Sequence, residues 1–362
     1  MYTEWLAGER IRQSTRGSRS LYEEAESDRA RVLYSASFRR LQRKTQVFPL
    51  EDNAAIRTRL THSLEVAHVG RFLAGKIIEK AEEAGKADEW GLRNETARAF
   101  QVMTEVACLL HDVGNPPFGH FGEVAISDWC RKENALKDSD LIGFDGNPQG
   151  FRIVSRLAGV DSAGMNLTIS QLAATLKYPS LKSENDTNQK FKKFGVFSTE
   201  AARLAKVREI LDLKAGQRFC IAYVMEAADD ISYCLSDIED GVEKELIAVG
   251  NFFKEIEGSI KGGAESIYQY GKVAADKAEG SVDKMVSFRA AIISRLVDSA
   301  ANRYVEMHDQ IADGSLSELL PEGTPEGDFL KQLKGVVSRT LYSSSQIVKL
   351  ELAGLRVVGG HP

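Results

Sequence analysis

Cysteine, proline and histidine are scarce in this 362-residue chain, and each scarcity narrows what it can be. The four cysteines (Cys108, Cys130, Cys220 and Cys234) form no Cys-x-x-Cys pair. Three of them sit in apolar, helix-like surroundings, which reads as reduced core thiols in a cytoplasmic protein rather than a disulfide framework. Only eight prolines occur, none between Pro179 and Pro321, which suits long helices. No apolar run approaches the length of a membrane span. The Met1-to-Leu6 start lacks the apolar core of a signal peptide. Runs of β-branched alternation are absent too, so the fold class predicted is all-α, with strands confined to short hairpins.

What is present describes a protein with a large core. Apolar residues make up 43% and charged residues 27% of the chain, the balance of an ordinary soluble protein. The net charge of −5 argues against wholesale coating of nucleic acid. Between Arg29 and Arg59, however, eight Lys/Arg (Arg29, Arg31, Arg39, Arg40, Arg43, Lys44, Arg57, Arg59) face only Glu51 and Asp52. That local excess points to anion handling. Helical spacing of apolar residues runs from Arg59 to Ile78, again through Val102, Val106, Leu109 and Leu110, and from Phe219 to Val242. Loops are expected at 138–149, 178–197 and 320–328. These elements read as one large helical domain over 1–362: a basic N-terminal segment 1–54, a core of about 55–245 and a helical region 246–362. The end at Val357-Val358-Gly359-Gly360-His361-Pro362 reads as a truncation.

With six histidines in the chain, their positions carry weight. His111-Asp112 follows the apolar Leu109-Leu110 and precedes Gly114 and the Pro116-Pro117 breaker. Adjacent helical residues diverge by about 100°, so both reach one point only near a helix end. A buried ionisable pair also needs a counter-charge, and a divalent cation is the obvious one. His62 opens the first apolar-faced helix. Carboxylates at Asp229 and Asp230 lie among Ala, Ile and Cys, where a mere surface role is unexpected. Spacing alone leaves open which of the two is the ligand. Asp229, Tyr233, Asp237 and Asp240 share one helical stripe. Two imidazoles and two carboxylates suit Mn²⁺, Mg²⁺, Co²⁺, Fe or Zn²⁺.

The order of these pieces resembles the HD-domain metal-dependent phosphohydrolases, and the wording is closest to the deoxyguanosine triphosphate triphosphohydrolases (dGTPases). The matching strings are Glu26-Ser27-Asp28-Arg29, Phe38-to-Leu50, Arg57-Thr58-Arg59-Leu60-Thr61-His62-Ser63, Gly114-to-His120 and Glu226-to-Tyr233. They cover residues 20–240 densely. The resemblance implies metal ligands His62, His111, Asp112 and Asp229, with Mn²⁺ or Mg²⁺ foremost, and a catalytic pair in His120 and Glu123. It implies hydrolysis of dGTP or another dNTP at the α-phosphorus, releasing deoxynucleoside and intact triphosphate. Lys177 and Tyr178, with Arg57 and Arg59, are expected at the triphosphate, Asn147 in an active-site loop, Tyr233 and Asp237 at the deoxyribose, and Gln46 and Glu351 at the base. The family also implies a homo-oligomer, often a hexamer, and a single-stranded DNA effector, with no membrane partner.

Two departures stand out. The stretch between Trp129 and Phe144 is short, and the family continues past the point where this chain stops. A basic residue of that further part helps read guanine, so the resemblance supports triphosphate release more firmly than guanine preference. The competing readings are an HD phosphohydrolase of a monophosphate or signalling nucleotide, and a DNA-binding regulator with a vestigial metal site. The triphosphohydrolase strings argue against the first and the intact site residues against the second.

Overall fold

The computed structural model describes residues 1–15, 17–136, 139–188 and 190–360. Among these the regular structure is helical, and three isolated bridges (Arg10 to Thr168, Thr45 to Thr58, Leu181 to Val196) replace any strand. The all-α expectation is borne out, without hairpins. The expected loops are more ordered than read. Their residues Asp138 and Gln189 lie outside the described residues, but the polar tract Lys182–Asn188 is helical. There Glu184 accepts the Leu181 N–H and pairs with Arg208, and Lys182 reaches Asp186 one turn on. These local and tertiary ties supply what the polar composition lacks.

The helices that position the site are α1 (Leu21–Leu33), α2 (Arg59–Glu83), α3 (Asn94–Leu110), α4 (Gly119–Lys132), α5 (Gly146–Arg152), α6 (Cys220–Glu243), α7 (Ser281–Glu306) and α8 (Ser345–Val358). A reciprocal cap opens α2: Thr58 Oγ1 accepts the Thr61 N–H, and Thr61 Oγ1 accepts the Thr58 N–H. Its buried face carries His62, Val66, Val69, Leu73 and Ile77 at helical spacing. It packs against α3 and α6, with Thr104 and Cys108 of α3 and Ala228 of α6 nearest its Gly70. Each fully buried large side chain here stabilises by roughly 1.5–3 kcal/mol. A Cβ at Gly70 would stand 2.4 Å from Cys108 Sγ and 3.5 Å from Ala228 Cβ, so α2 meets α3 and α6 at one close crossing.

The N-terminal segment is fastened to this core. Arg10 donates to Asp28 and Glu24, while Asp28 Oδ2 accepts from the backbone and hydroxyl of Thr168 at 2.9 and 2.7 Å. Tyr2 and Tyr304 share a 2.5 Å hydroxyl contact, and Trp5 and Trp90 flank the buried His308. One apolar cluster runs from Tyr2 to Ile347.

His308 stacks on Trp90 with centroids 3.6 Å apart, and neither ring nitrogen has a hydrogen-bond partner among the described residues. Burial lowers its imidazole from 6.5 to about 4, against the pull of Asp309 and Glu89. Between those values the unfolded chain binds a proton that the native state refuses. Stability therefore rises with pH through this window, and roughly 2–3 kcal/mol is lost as pH falls from 6.5 toward 4. In urea titrations at pH 7.5 and 4.5, His308→Phe should lose about 2 kcal/mol less than the parent protein. Equal losses would remove His308 as the source.

Candidate metal centre and active site

Three helices deliver the centre. His62 Nε2 comes from the first turns of α2 and lies 3.4 Å from Asp229 Oδ1, at the middle of α6. His111 Nε2 caps the C-terminus of α3 and lies 3.5 Å from the same oxygen. The three ligand atoms fall within 4.8 Å of one another. His111 Nδ1 is 2.7 Å from the Cys108 carbonyl. That nitrogen must carry the proton, which leaves the Nε2 lone pair facing Asp229. Burial alone would raise the Asp229 carboxyl, but His111, His62 and Lys177 outweigh it and hold it well below the usual carboxylate range. The same contact with Asp229 raises His62 against the effect of its burial. Two neutral-capable imidazoles around one firmly ionised carboxylate form a donor set that fits a divalent cation.

Asp112 stands one step back. Its Oδ2 lies 3.7 Å from His111 Nε2 and accepts from Arg59 Nη1 at 2.5 Å, while its Oδ1 accepts from Asn115 Nδ2. Burial pushes the Asp112 carboxyl up, but Arg59, His111 and His62 more than reverse this. Lys44 donates to the Asn115 carbonyl at 2.5 Å, tying the basic segment to the same turn. Gly114 lets that turn lie against α5: a Cβ there would sit 1.9 Å from the Gly146 carbonyl oxygen.

After Pro116-Pro117 the chain turns through left-handed Phe118 and Gly119 into α4. His120 is exposed, with Nδ1 3.3 Å from Glu123 Oε2. The other Glu123 oxygen accepts the Gly146 N–H at 2.8 Å, so the carboxylate is fixed before it touches His120. Glu351 of α8 is half-buried and carries a raised carboxyl, chiefly from burial, with His120 as its nearest opposing charge.

The remaining expected residues divide. Lys177 lies 3.4 Å from Glu226 and faces Asp230 and Asp229, whose charges overcome burial and raise its ammonium. With Tyr178, Lys190, Lys192 and Lys334 it lines a cleft of about 500 Å³ beside Asp230. Burial pushes the Asp230 carboxyl up to about 6. Tyr233 is half-buried under Lys334, whose Nζ is 5.0 Å from the ring. Asp237 is buried and accepts from the Tyr342 hydroxyl, and burial raises it to about 7. Gln46 keeps a buried Oε1 with no partner among the described residues. Asn147 lies at the start of α5, next to the Gly146 that binds Glu123, and its backbone and side-chain nitrogens both donate to Asp145 Oδ1. Arg57 is engaged by carboxylates of its own. It is held by Glu65, Glu239 and Asp240 in a cluster joined by Arg289. Arg59 reaches Asp112 instead of open space. Sequence reasoning assigned no role to Asn115, Tyr342 or the buried Arg218–Glu226 pair. Asn115 and Glu226 carried a signal, each lying within a family-like string; Tyr342 and Arg218 carried none.

Residues 59–144, which include His62, His111 and Asp112, match the family model described as HD domain. A deoxyguanosinetriphosphate triphosphohydrolase of Klebsiella pneumoniae subsp. pneumoniae is 37% identical over 383 residues, covering 92% of this chain and 75% of that protein. The chain belongs to the deoxyguanosinetriphosphate triphosphohydrolase family of HD-domain enzymes.

Arg59 and Asn115 together hold the Asp112 carboxylate in one orientation. Arg59→Gln should therefore weaken Mn²⁺ binding by about 10- to 100-fold, read by calorimetry on chelator-treated protein. An unchanged isotherm would separate Asp112 from the centre.

Proposed function

We propose that this protein hydrolyses deoxynucleoside triphosphates, dGTP foremost, at the α-phosphorus, to deoxynucleoside and inorganic triphosphate, in a reaction dependent on Mn²⁺ or Mg²⁺. The observation that carries the reading is the convergence of His62 and His111 Nε2, at 3.4 and 3.5 Å, on one oxygen of Asp229. His62, His111, Asp229 and the adjacent Asp112 would hold the cation. When bound, it supplies Lewis-acid polarisation of a phosphate oxygen and a lowered pKa for water.

The chain's own residues do the rest. Glu123, fixed by the Gly146 N–H, holds the His120 Nδ1–H and leaves Nε2 free to exchange a proton. The departing 5′ oxygen needs that proton, and imidazole is suited to give it near neutrality. Lys177 and Tyr178 take the phosphates in the cleft beside Asp230, and Arg59 lends positive charge at Asp112. Tyr233 offers a ring face to the deoxyribose, and Asp237 a hydrogen-bonding edge. Gln46 and Glu351 are assigned to the base, Gln46 by its unpartnered buried oxygen and Glu351 by its place near His120. The homohexamer and single-stranded DNA effector of the family belong to the same proposal. Exposed Arg40 and Arg43, which pair with no carboxylate among the described residues, support the DNA effector. A cytoplasmic setting accords with four free, buried cysteines.

Incubation of Mn²⁺-loaded protein with each dNTP and NTP should yield inorganic triphosphate from deoxynucleotides, fastest from dGTP. Orthophosphate as the product would favour an HD phosphohydrolase of another nucleotide. His120→Ala should lower kcat by about 10²–10⁴-fold with Mn²⁺ affinity retained. Full turnover in that variant would remove His120 from proton transfer.

A further inference from the structure

Away from the metal centre, a cleft of about 380 Å³ opens between α1 and the N-terminal segment. Arg12, Arg19 and Arg31 line it, together with hydroxyl groups and Asn166, and no carboxylate among the described residues does. In a chain of net charge −5 this is an unusual wall. Its α1 side presents Ser27, Ala30, Arg31 and Tyr34, the successive positions of one helical face. Small residues at 27 and 30 leave the space, and the 82% exposed Tyr34 forms the rim.

Arg12 and Arg31 are tied to the loop at Met165 and Asn166. The Arg12 backbone is pinned both ways to the Asn166 amide, at 3.0 and 2.9 Å. Arg31 Nη1 donates to the Met165 carbonyl at 3.1 Å, while its Nε is buried with no acceptor. Arg12 has one carboxylate partner, Asp161, at 3.0 Å on an exposed edge. Glu24 and Asp28 behind the wall are taken by Arg10. Arg19 and Arg31 have no carboxylate partner among the described residues. Burial, with Arg10 and Arg12 close by, lowers the Arg31 guanidinium from its usual value, against the pull of Asp28 and Glu24.

We infer that this cleft is a second anion site, in which Arg12, Arg19 and Arg31 bind a soluble oligophosphate. Guanidinium groups match phosphate oxygens in paired hydrogen bonds, and three of them around one small cleft suit an ion with more than one phosphate better than a single carboxylate. The site stands independently of the reaction assigned to the metal centre.

Inorganic triphosphate, titrated by calorimetry into chelator-treated protein, tests this. The full chain should bind one equivalent beyond any held in the cleft beside Asp230, and that equivalent alone should weaken about 10-fold or more in the double variant Arg19→Gln/Arg31→Gln. Ala30→Glu, at an exposed position, should give a similar drop by placing a carboxylate in the cleft while every arginine stays. Both variants should keep the parent's circular dichroism and dGTP turnover. Isotherms identical to the parent's in the Ala30→Glu protein would overturn the site. So would a short oligodeoxynucleotide that lost affinity in the variants while triphosphate bound none of the proteins.

Discussion

The crossing of α2, α3 and α6 at Gly70 sets the geometry on which the centre depends. The atoms nearest a Cβ at that position belong to Cys108 and Ala228. The carbonyl of Cys108 fixes the His111 ring, and Ala228 precedes Asp229. His62 lies on the same helix as Gly70, two turns toward its start. A Cβ at position 70 would collide with Cys108 Sγ and press α3 away from α2, and anything larger would reach Ala228 of α6 as well, which would disturb the convergence of His62, His111 and Asp229. Interiors packed to crystal-like density transmit such displacements rather than absorb them. Packing and site chemistry are thus one constraint.

Placing ionisable groups at an apolar crossing carries a desolvation cost, which is tolerable only where every charge has a partner. The structure meets that requirement in discrete sets. Asp229 has two imidazoles, Asp112 has Arg59 and Asn115, and Glu226 has Arg218 and Lys177. Arg57 and Arg59 illustrate how local the outcome is. They are two residues apart at the start of α2, yet one closes an ion cluster with α6 and the other turns to the end of α3.

The helical fold and the helices that bring His62, His111 and Asp229 together were legible because apolar periodicity extends over long stretches, and because His111-Asp112 sits where such a stretch must end. Which of Asp229 and Asp230 meets the imidazoles was not legible from spacing. It depends on the rotation of α6, which points one carboxylate at the imidazoles and the other into the cleft of Lys177. The fate of Arg57 was hidden for a similar reason, since its partners Glu239 and Asp240 lie some 180 residues away. Tyr342 on Asp237 has no local signal at all. Pairings between distant segments are set by helix packing, which periodicity constrains only to a face.

Those distant pairings bear on how an acidic protein can receive a polyanion. From Glu226 to Glu243, α6 carries seven carboxylates, which unpaired would surround the centre with a repulsive field. Arg57 and Arg289 neutralise the lower part at Glu239 and Asp240, and the Tyr342 hydroxyl and burial temper Asp237. Lys177 and Arg218 cover Glu226 at the other end. What remains facing the cleft beside Asp230 includes Lys190, Lys192 and Lys334. Arg57 therefore matters to a phosphate-bearing substrate without touching it: by cancelling negative charge within a low-dielectric interior, where interactions reach further than in water, it lets the lysines set the sign of the local field.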